Sequence, residues 1–175
     1  MIITISGRAG SGKSTVAKEI AKKLNLKHYS IGDLMRQMAK ERNISLAELG
    51  KVAEGDDAVD KELDDRQIKL GKEEDNFVID GRLTAHFLPD AKLKVFLDCD
   101  DKIRAERILK DERKDEESKG VDNIIKKINE REESERKRYK KYYDVDYCDK
   151  KLYDLVIDTS KISVKEVVDK IISSV

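Results

Sequence analysis

The octet GRAGSGKS, Gly7 to Ser14, constrains this chain more than any other stretch. It matches G-x-x-x-x-G-K-S, a loop whose backbone N–H groups cradle phosphates. Its surroundings give the pattern physical meaning. Met1 to Ser6 is apolar and β-branched enough for a buried strand, and Val16, Ala17, Ile20, Ala21 and Leu24 recur at helical spacing. A strand therefore feeds a glycine-rich turn that opens a helix. Glycines allow positive φ and close approach to an anion, and the helix N-terminus adds its positive dipole end. Residues Gly7, Arg8, Ala9, Gly10, Ser11, Gly12, Lys13, Ser14 and Thr15 are the expected triphosphate cradle. In such a loop the lysine, Lys13, reaches the β- and γ-phosphates, and the Ser14 hydroxyl is placed for Mg²⁺.

The rest of the chain repeats the alternation. Strands are expected at Lys27 to Ser30, Asn76 to Asp80, Leu93 to Asp98 and Tyr153 to Asp158. Gly32 and Asp33 are expected to break the chain before a helix opening at Leu34. Ser45-Leu46-Ala47-Glu48 and Ser163-Val164-Lys165-Glu166 are capping boxes. A helix from about Asp57 to Lys69 has Val59, Leu63 and Ile68 as its apolar face and ends at Gly71. Further helices run from Asp101 to about Leu109 and from Asn123 to Tyr143. Five strands alternating with helices imply an α/β fold, a parallel sheet covered on both faces. Ligands of such sheets bind at the carboxyl ends of the strands, which brings Asp33, Asp80 and Asp98 to the edge that carries the octet.

At 175 residues the chain is one domain with room for a core. Lysine plus arginine number 37 and aspartate plus glutamate 37, so no global charge draws it to nucleic acid or a membrane. No apolar run of membrane-spanning length and no signal-peptide pattern is present. Cys99 and Cys148 show no metal-ligand spacing and read as reduced thiols of a cytoplasmic protein.

Asp80 ends an apolar strand, where a carboxylate would hold Mg²⁺ directly or through water, or would cap the following turn. Asp33 would orient metal-bound water or cap the helix after it. Arg36 follows Asp33 by three residues and Arg82 follows Asp80 by two. Arg104 and Arg107 share a helix face, as do Arg131 and Arg138. Guanidinium groups suit phosphates, so arginines from separate segments fit a site for two phosphorylated substrates; surface ion pairing is the competing reading. The stretch Lys110 to Asp122 is almost entirely charged, and is expected to be a lid that excludes water or else a solvated loop.

Over nearly its whole length the chain resembles the nucleoside monophosphate kinases, most closely the archaeal-type cytidylate kinases. The resemblance rests on Gly7 to Ser14, Tyr29 to Arg36 (YSIGDLMR), Ile79 to Leu83 (IDGRL), Ile128 to Arg131 with Arg138-Tyr139, and Leu155 to Ser160 (LVIDTS). It implies a three-layer P-loop NTPase fold with a five-stranded parallel sheet, monophosphate-binding helices over about 33–71 and a lid over about 110–122. It implies ATP, Mg²⁺ and CMP or dCMP as ligands. Arg36 resembles the arginine that grips the acceptor phosphate, and Arg82 the one facing the pyrimidine nucleotide. Arg131 and Arg138 resemble the lid-side arginines that contact the acceptor and the transferring phosphate, which makes them catalytic with Lys13. Glu135 stands where bacterial members carry an aspartate on the acceptor ribose. Unlike the bacterial members, this chain has Leu83 after the D-G-R element and a much shorter monophosphate-binding insert. A site that reads cytosine needs a donor, for which Arg82 is suited, and an acceptor, for which Asp80, Ser30 or Thr84 is suited. Ser30, Asp33, Arg36, Arg82 and Glu135 are the expected acceptor residues; Ser14 and Asp80 are the expected metal residues. A monomer is favoured.

Other classes fit less well. A kinase for another acceptor, such as AMP, keeps the same machinery. A guanine-nucleotide switch needs N-K-x-D after a strand, and Leu97-Asp98-Cys99-Asp100 is not that. A nucleic-acid-binding module needs a basic groove or aromatic platform, and aromatics are 5% of the chain.

Overall fold

The computed structural model describes residues 1–112 and 120–175. Strands β1 (Ile2–Gly7), β2 (Lys27–Ser30), β3 (Phe77–Asp80), β4 (Leu93–Asp98) and β5 (Leu155–Asp158) form one parallel sheet in the order β2-β3-β1-β4-β5. Helix α1 (Lys13–Leu24) follows β1. Helices α2 (Ile31–Glu41), α3 (Leu46–Gly55) and α4 (Ala58–Glu73) lie between β2 and β3, and the short α5 (Thr84–Phe87) lies between β3 and β4. Helices α6 (Asp101–Glu112) and α7 (Gly120–Tyr143) separate β4 from β5, and α8 (Val164–Ile172) ends the chain.

The strands are apolar on both faces because both are covered. Ile3 and Ile5 of β1, with Val95 and Leu97 of β4, pack against Val16, Ala17 and Ile20 of α1 and Val167, Val168 and Ile171 of α8. On the other side Phe96 packs with Leu83 and Tyr147. Met38, Ala39, Leu49, Ala53, Val59 and Leu63 make a separate small core that holds α2, α3 and α4 together.

The expected alternation of elements is present, and both capping boxes form. Ser45 Oγ accepts from the Glu48 N–H at 3.1 Å while the Ser45 N–H donates to Glu48 at 2.7 Å; Ser163 and Glu166 repeat the arrangement. Several boundaries differ from expectation: β5 begins at Leu155 rather than Tyr153, α7 at Gly120 rather than Asn123, and two further differences involve glycines. Gly32 and Asp33 do not interrupt the chain, since α2 begins directly after β2 at Ile31. Gly71 does not end α4, which continues to Glu73. That glycine serves packing instead: a Cβ there would meet Leu88 Cδ2 at 2.3 Å. The proposed lid, about 110–122, falls largely on 113–119, outside the described residues; Lys110 continues α6 and 120–122 open α7.

Candidate active site

The loop after β1 has the backbone that its glycines allow. Gly7 has φ +151° and Gly10 φ +75°. A Cβ on Gly7 would meet the Leu97 carbonyl oxygen at 2.4 Å, and one on Gly10 the Arg104 carbonyl oxygen at 2.7 Å. Both clashes are with backbone, so larger residues cannot be absorbed by a rotamer change. The Thr159 hydroxyl, just beyond β5, lies 3.1 Å from the Ser11 carbonyl and braces the loop from behind.

Lys13 is buried, and its ammonium donates to the Arg8 carbonyl at 2.9 Å. Burial, aided by the nearby Arg82 charge, pulls its pKa down to about 7. The negative charge of an arriving polyphosphate would offset both penalties. Ser14 opens α1, and its hydroxyl donates to Asp80 Oδ2 at 2.7 Å. Register explains the rest of that cluster: Ser30 of β2 pairs directly with Asp80 of β3, and Ser30 Oγ donates to Asp80 Oδ2 at 3.2 Å. His28 is two residues earlier on the same face of β2. Its Nε2 lies 2.7 Å from Asp80 Oδ1. The carboxylate is thus held from three sides. Sequence reading missed His28, although its i, i+2 spacing from Ser30 placed it on that face. Ser14 and Asp80 offer hard oxygen donors side by side, which suits Mg²⁺ completed by phosphate oxygens and water.

A cleft of about 310 Å³ lies in front of this cluster, lined by Lys13, Ser14 and Asp80 together with Arg36, Arg82, Arg131 and Glu135. Arg82 Nε donates to Glu135 Oε2 at 2.8 Å and Arg131 Nε to Glu135 Oε1 at 2.9 Å. Burial pushes the Glu135 carboxyl up, but the two guanidiniums outweigh it, so its pKa lies below the ordinary value. Arg138 lines an adjoining recess with Met35, Arg131 and Glu135, and its Nε donates to Asp60 Oδ2 at 3.0 Å. Arg36 pairs with Asp33 one turn earlier, both more than half exposed. Ser30 is buried behind the cleft against Asp80, and Asp33 sits at its rim on Arg36. Thr84 is buried, and its hydroxyl lies 3.1 Å from Ser6 Oγ.

Behind the loop, a second cavity of about 290 Å³ is lined by Gly10, Gly12, Thr15, Arg107, Thr159 and Ile162 among others. Arg107 donates to the Thr159 carbonyl at 2.7 Å, so it spans the loop and the end of β5. Arg8 turns the other way. It donates to Asp101 at 3.0 Å and Glu132 at 2.8 Å, and the fully buried Arg104 donates to Glu132 at 2.6 Å and to the Ala9 carbonyl at 3.0 Å. The arginines paired on a helix face thus divide: Arg104 ties α6 and α7 to the loop, while Arg107 faces the second cavity.

Fold and site together define a phosphate-binding α/β protein of the P-loop kinase class. The family model described as "Cytidylate kinase-like family" matches residues 2–161, and the chain belongs to that family. It is 40% identical over 169 residues to a cytidylate kinase of Methanosphaera stadtmanae, covering 97% of this chain and 94% of that one. It is 45% identical over 161 residues to a cytidylate kinase of Pyrococcus horikoshii, covering 92% and 81%. Among solved structures, shikimate kinase from Bacteroides thetaiotaomicron superposes with a TM-score of 0.66 at 15% identity, covering 99% of this chain and 97% of that one, a likeness of fold.

Proposed function

We propose that this protein transfers the γ-phosphoryl group of ATP to CMP or dCMP. The observation that carries the reading is the cleft that joins Lys13, Ser14 and Asp80 to Arg36, Arg82 and Arg131. Donor phosphates and an acceptor phosphate would meet there, in a chain whose relatives are named cytidylate kinases.

The loop backbone and Lys13 hold the donor phosphates, with the base toward the cavity at Arg107 and Ile162. Arg36 exchanges its Asp33 partner for the acceptor phosphate, and Glu135 faces the acceptor sugar. Arg131 and Arg138, carried one turn pair apart on α7, spread charge from the phosphoryl group as it moves. Phosphoryl transfer asks for alignment and charge neutralisation rather than covalent chemistry from the protein, and these residues supply both. Ser14 and Asp80 would hold Mg²⁺, which when bound neutralises the β- and γ-oxygens.

The test is kcat/KM for CMP, dCMP, UMP and AMP with MgATP on one preparation. A clear preference for CMP or dCMP is expected. AMP as the best acceptor would overturn the cytidylate assignment. Arg36→Ala should raise the acceptor KM with little change in the ATP KM, and Arg138→Ala should lower kcat more than it raises either KM.

A further inference from the structure

Helix α4 carries a polar stripe where its position calls for apolar side chains. Asp60, Asp64 and Gln67 fall at i, i+4 and i+7, so they share one face. All three are buried, and all three line the acceptor cleft. Burying polar groups costs stability unless each finds a partner. Asp60 has Arg138. Asp64 receives the Tyr143 hydroxyl on Oδ2, and among the described residues no hydrogen bond reaches its other oxygen. Gln67 donates its amide to the Leu63 carbonyl at 3.4 Å, while its Oε1 is buried without any partner. That residue is only 2% exposed.

The unused Gln67 Oε1, and the free Asp64 oxygen once that carboxyl is ionised, are acceptors, and a ligand that completes them must bring donors. The neighbouring wall of Met35, Leu63, Leu83 and Tyr139 suits a flat ring. Cytosine presents an exocyclic amine with two hydrogens where uracil presents a carbonyl oxygen. We propose that Gln67 Oε1 and the Asp64 carboxyl group together receive the exocyclic amine of the acceptor base, and that this pair separates CMP from UMP. The inference rests on the cytidylate reading above and adds the residues that discriminate. Uracil in the same place would set its oxygen against two acceptors and leave Gln67 unpaired, the kind of mismatch that polar sites reject most strongly. Thr84 is occupied by Ser6 and Asp80 by Ser14, Ser30 and His28, which leaves α4 as the source of the acceptors. The pair distinguishes amine from carbonyl, not pyrimidine from purine, so the test stays within pyrimidines.

The experiment measures kcat/KM, and acceptor dissociation constants by calorimetry without ATP, for CMP, UMP and the monophosphate of 2-pyrimidinone riboside, which lacks the amine. Wild type should lose about 10²-fold on the amine-free analogue. Gln67→Leu should lower CMP use about 10-fold or more, leave the analogue unchanged, and so narrow the CMP/UMP ratio. Gln67→Glu keeps an acceptor in place and should retain the preference. Asp64→Asn should improve UMP relative to CMP by offering an N–H. CMP/UMP ratios in Gln67→Leu and Asp64→Asn within twofold of wild type would overturn the inference. So would wild type using the analogue as well as CMP, a result that needs no variant to fold. A wild type that shows no preference for CMP over UMP would remove the cytidylate reading itself, and this inference with it.

Discussion

Lys13 carries a charge that its surroundings disfavour and a polyphosphate would favour, since burial, aided by the Arg82 charge, drives its pKa down to about 7. Its removal should relieve a small folding penalty and remove a large catalytic term. Lys13→Ala is therefore expected to lower kcat about 10³-fold or more with a melting temperature at or above that of wild type; a steady-state assay beside a melting curve checks both. Asp64 offers a pH test. Burial raises its carboxyl from the ordinary aspartate value to about 7, despite the Tyr143 hydroxyl. The folded chain keeps this proton after the unfolded chain has lost it, at about pH 4. Folded protein thus binds more protons between about pH 4 and 7, and stability falls with rising pH across that window. Urea unfolding at several pH values should show a steeper decline over this window for the ligand-free wild type than for Asp64→Asn. An equal slope in the two proteins would show that Asp64 does not titrate there. Legibility at this scale was uneven. Lys13 and Ser14 could be read because the loop motif that carries them is contiguous in sequence. His28, Asp64 and Gln67 were missed, because what makes them notable is Asp80, Tyr143 and a cleft lined by segments distant in sequence.

Elements were legible where local hydrogen bonding decides them. Ser45 and Glu48 cap α3 through atoms three residues apart, and that geometry is independent of the remaining fold. Ser45→Ala should cost about 1 kcal/mol and lower the melting temperature by about 2–4 °C, read by calorimetry, with catalytic constants unchanged. Boundaries set by packing were less legible. Gly71 looks like a helix stop, yet the Leu88 side chain takes the space a Cβ would fill and the helix runs past it. Gly32 and Asp33 look like a break, yet β2 passes straight into α2, which carries Asp33 into its first turn beside Arg36. The apolar face expected on α4 holds for Val59 and Leu63, but Ile68 is only half-buried while Asp60, Asp64 and Gln67 are buried. Those three share the helix face that lines the cleft, where polar side chains replace the apolar ones that burial alone would favour.

At the scale of the molecule, the loop is fastened to its surroundings by charge. Glu132 of α7 accepts from Arg8, from Arg104 and from the Ala9 N–H at 3.3 Å, while Asp101 of α6 takes the other hands of both arginines. Arg104 has no exposure to water, so removing Glu132 leaves a buried cation whose one remaining carboxylate, Asp101, is half-exposed. Glu132→Ala should destabilise the protein by about 3–5 kcal/mol, measured by urea unfolding. Replacing Glu130, exposed on the same helix, should change stability by no more than about 0.5 kcal/mol.

The phosphate loop, the alternation that builds a parallel sheet, and the placement of Asp80 at a strand end were all determined by the sequence alone. Each depends on contacts along the chain or on a periodicity that burial on two faces imposes. Tertiary structure decided the strand order, which sets Ser30 beside Asp80 and brings His28 to the same carboxylate. It also decided which arginines face the cleft and which, like Arg104, serve as internal ties. The physical reason is common to all of these. Charge pairing and polar burial are settled between segments many residues apart, and a one-dimensional pattern records what each segment brings but not which partner it meets.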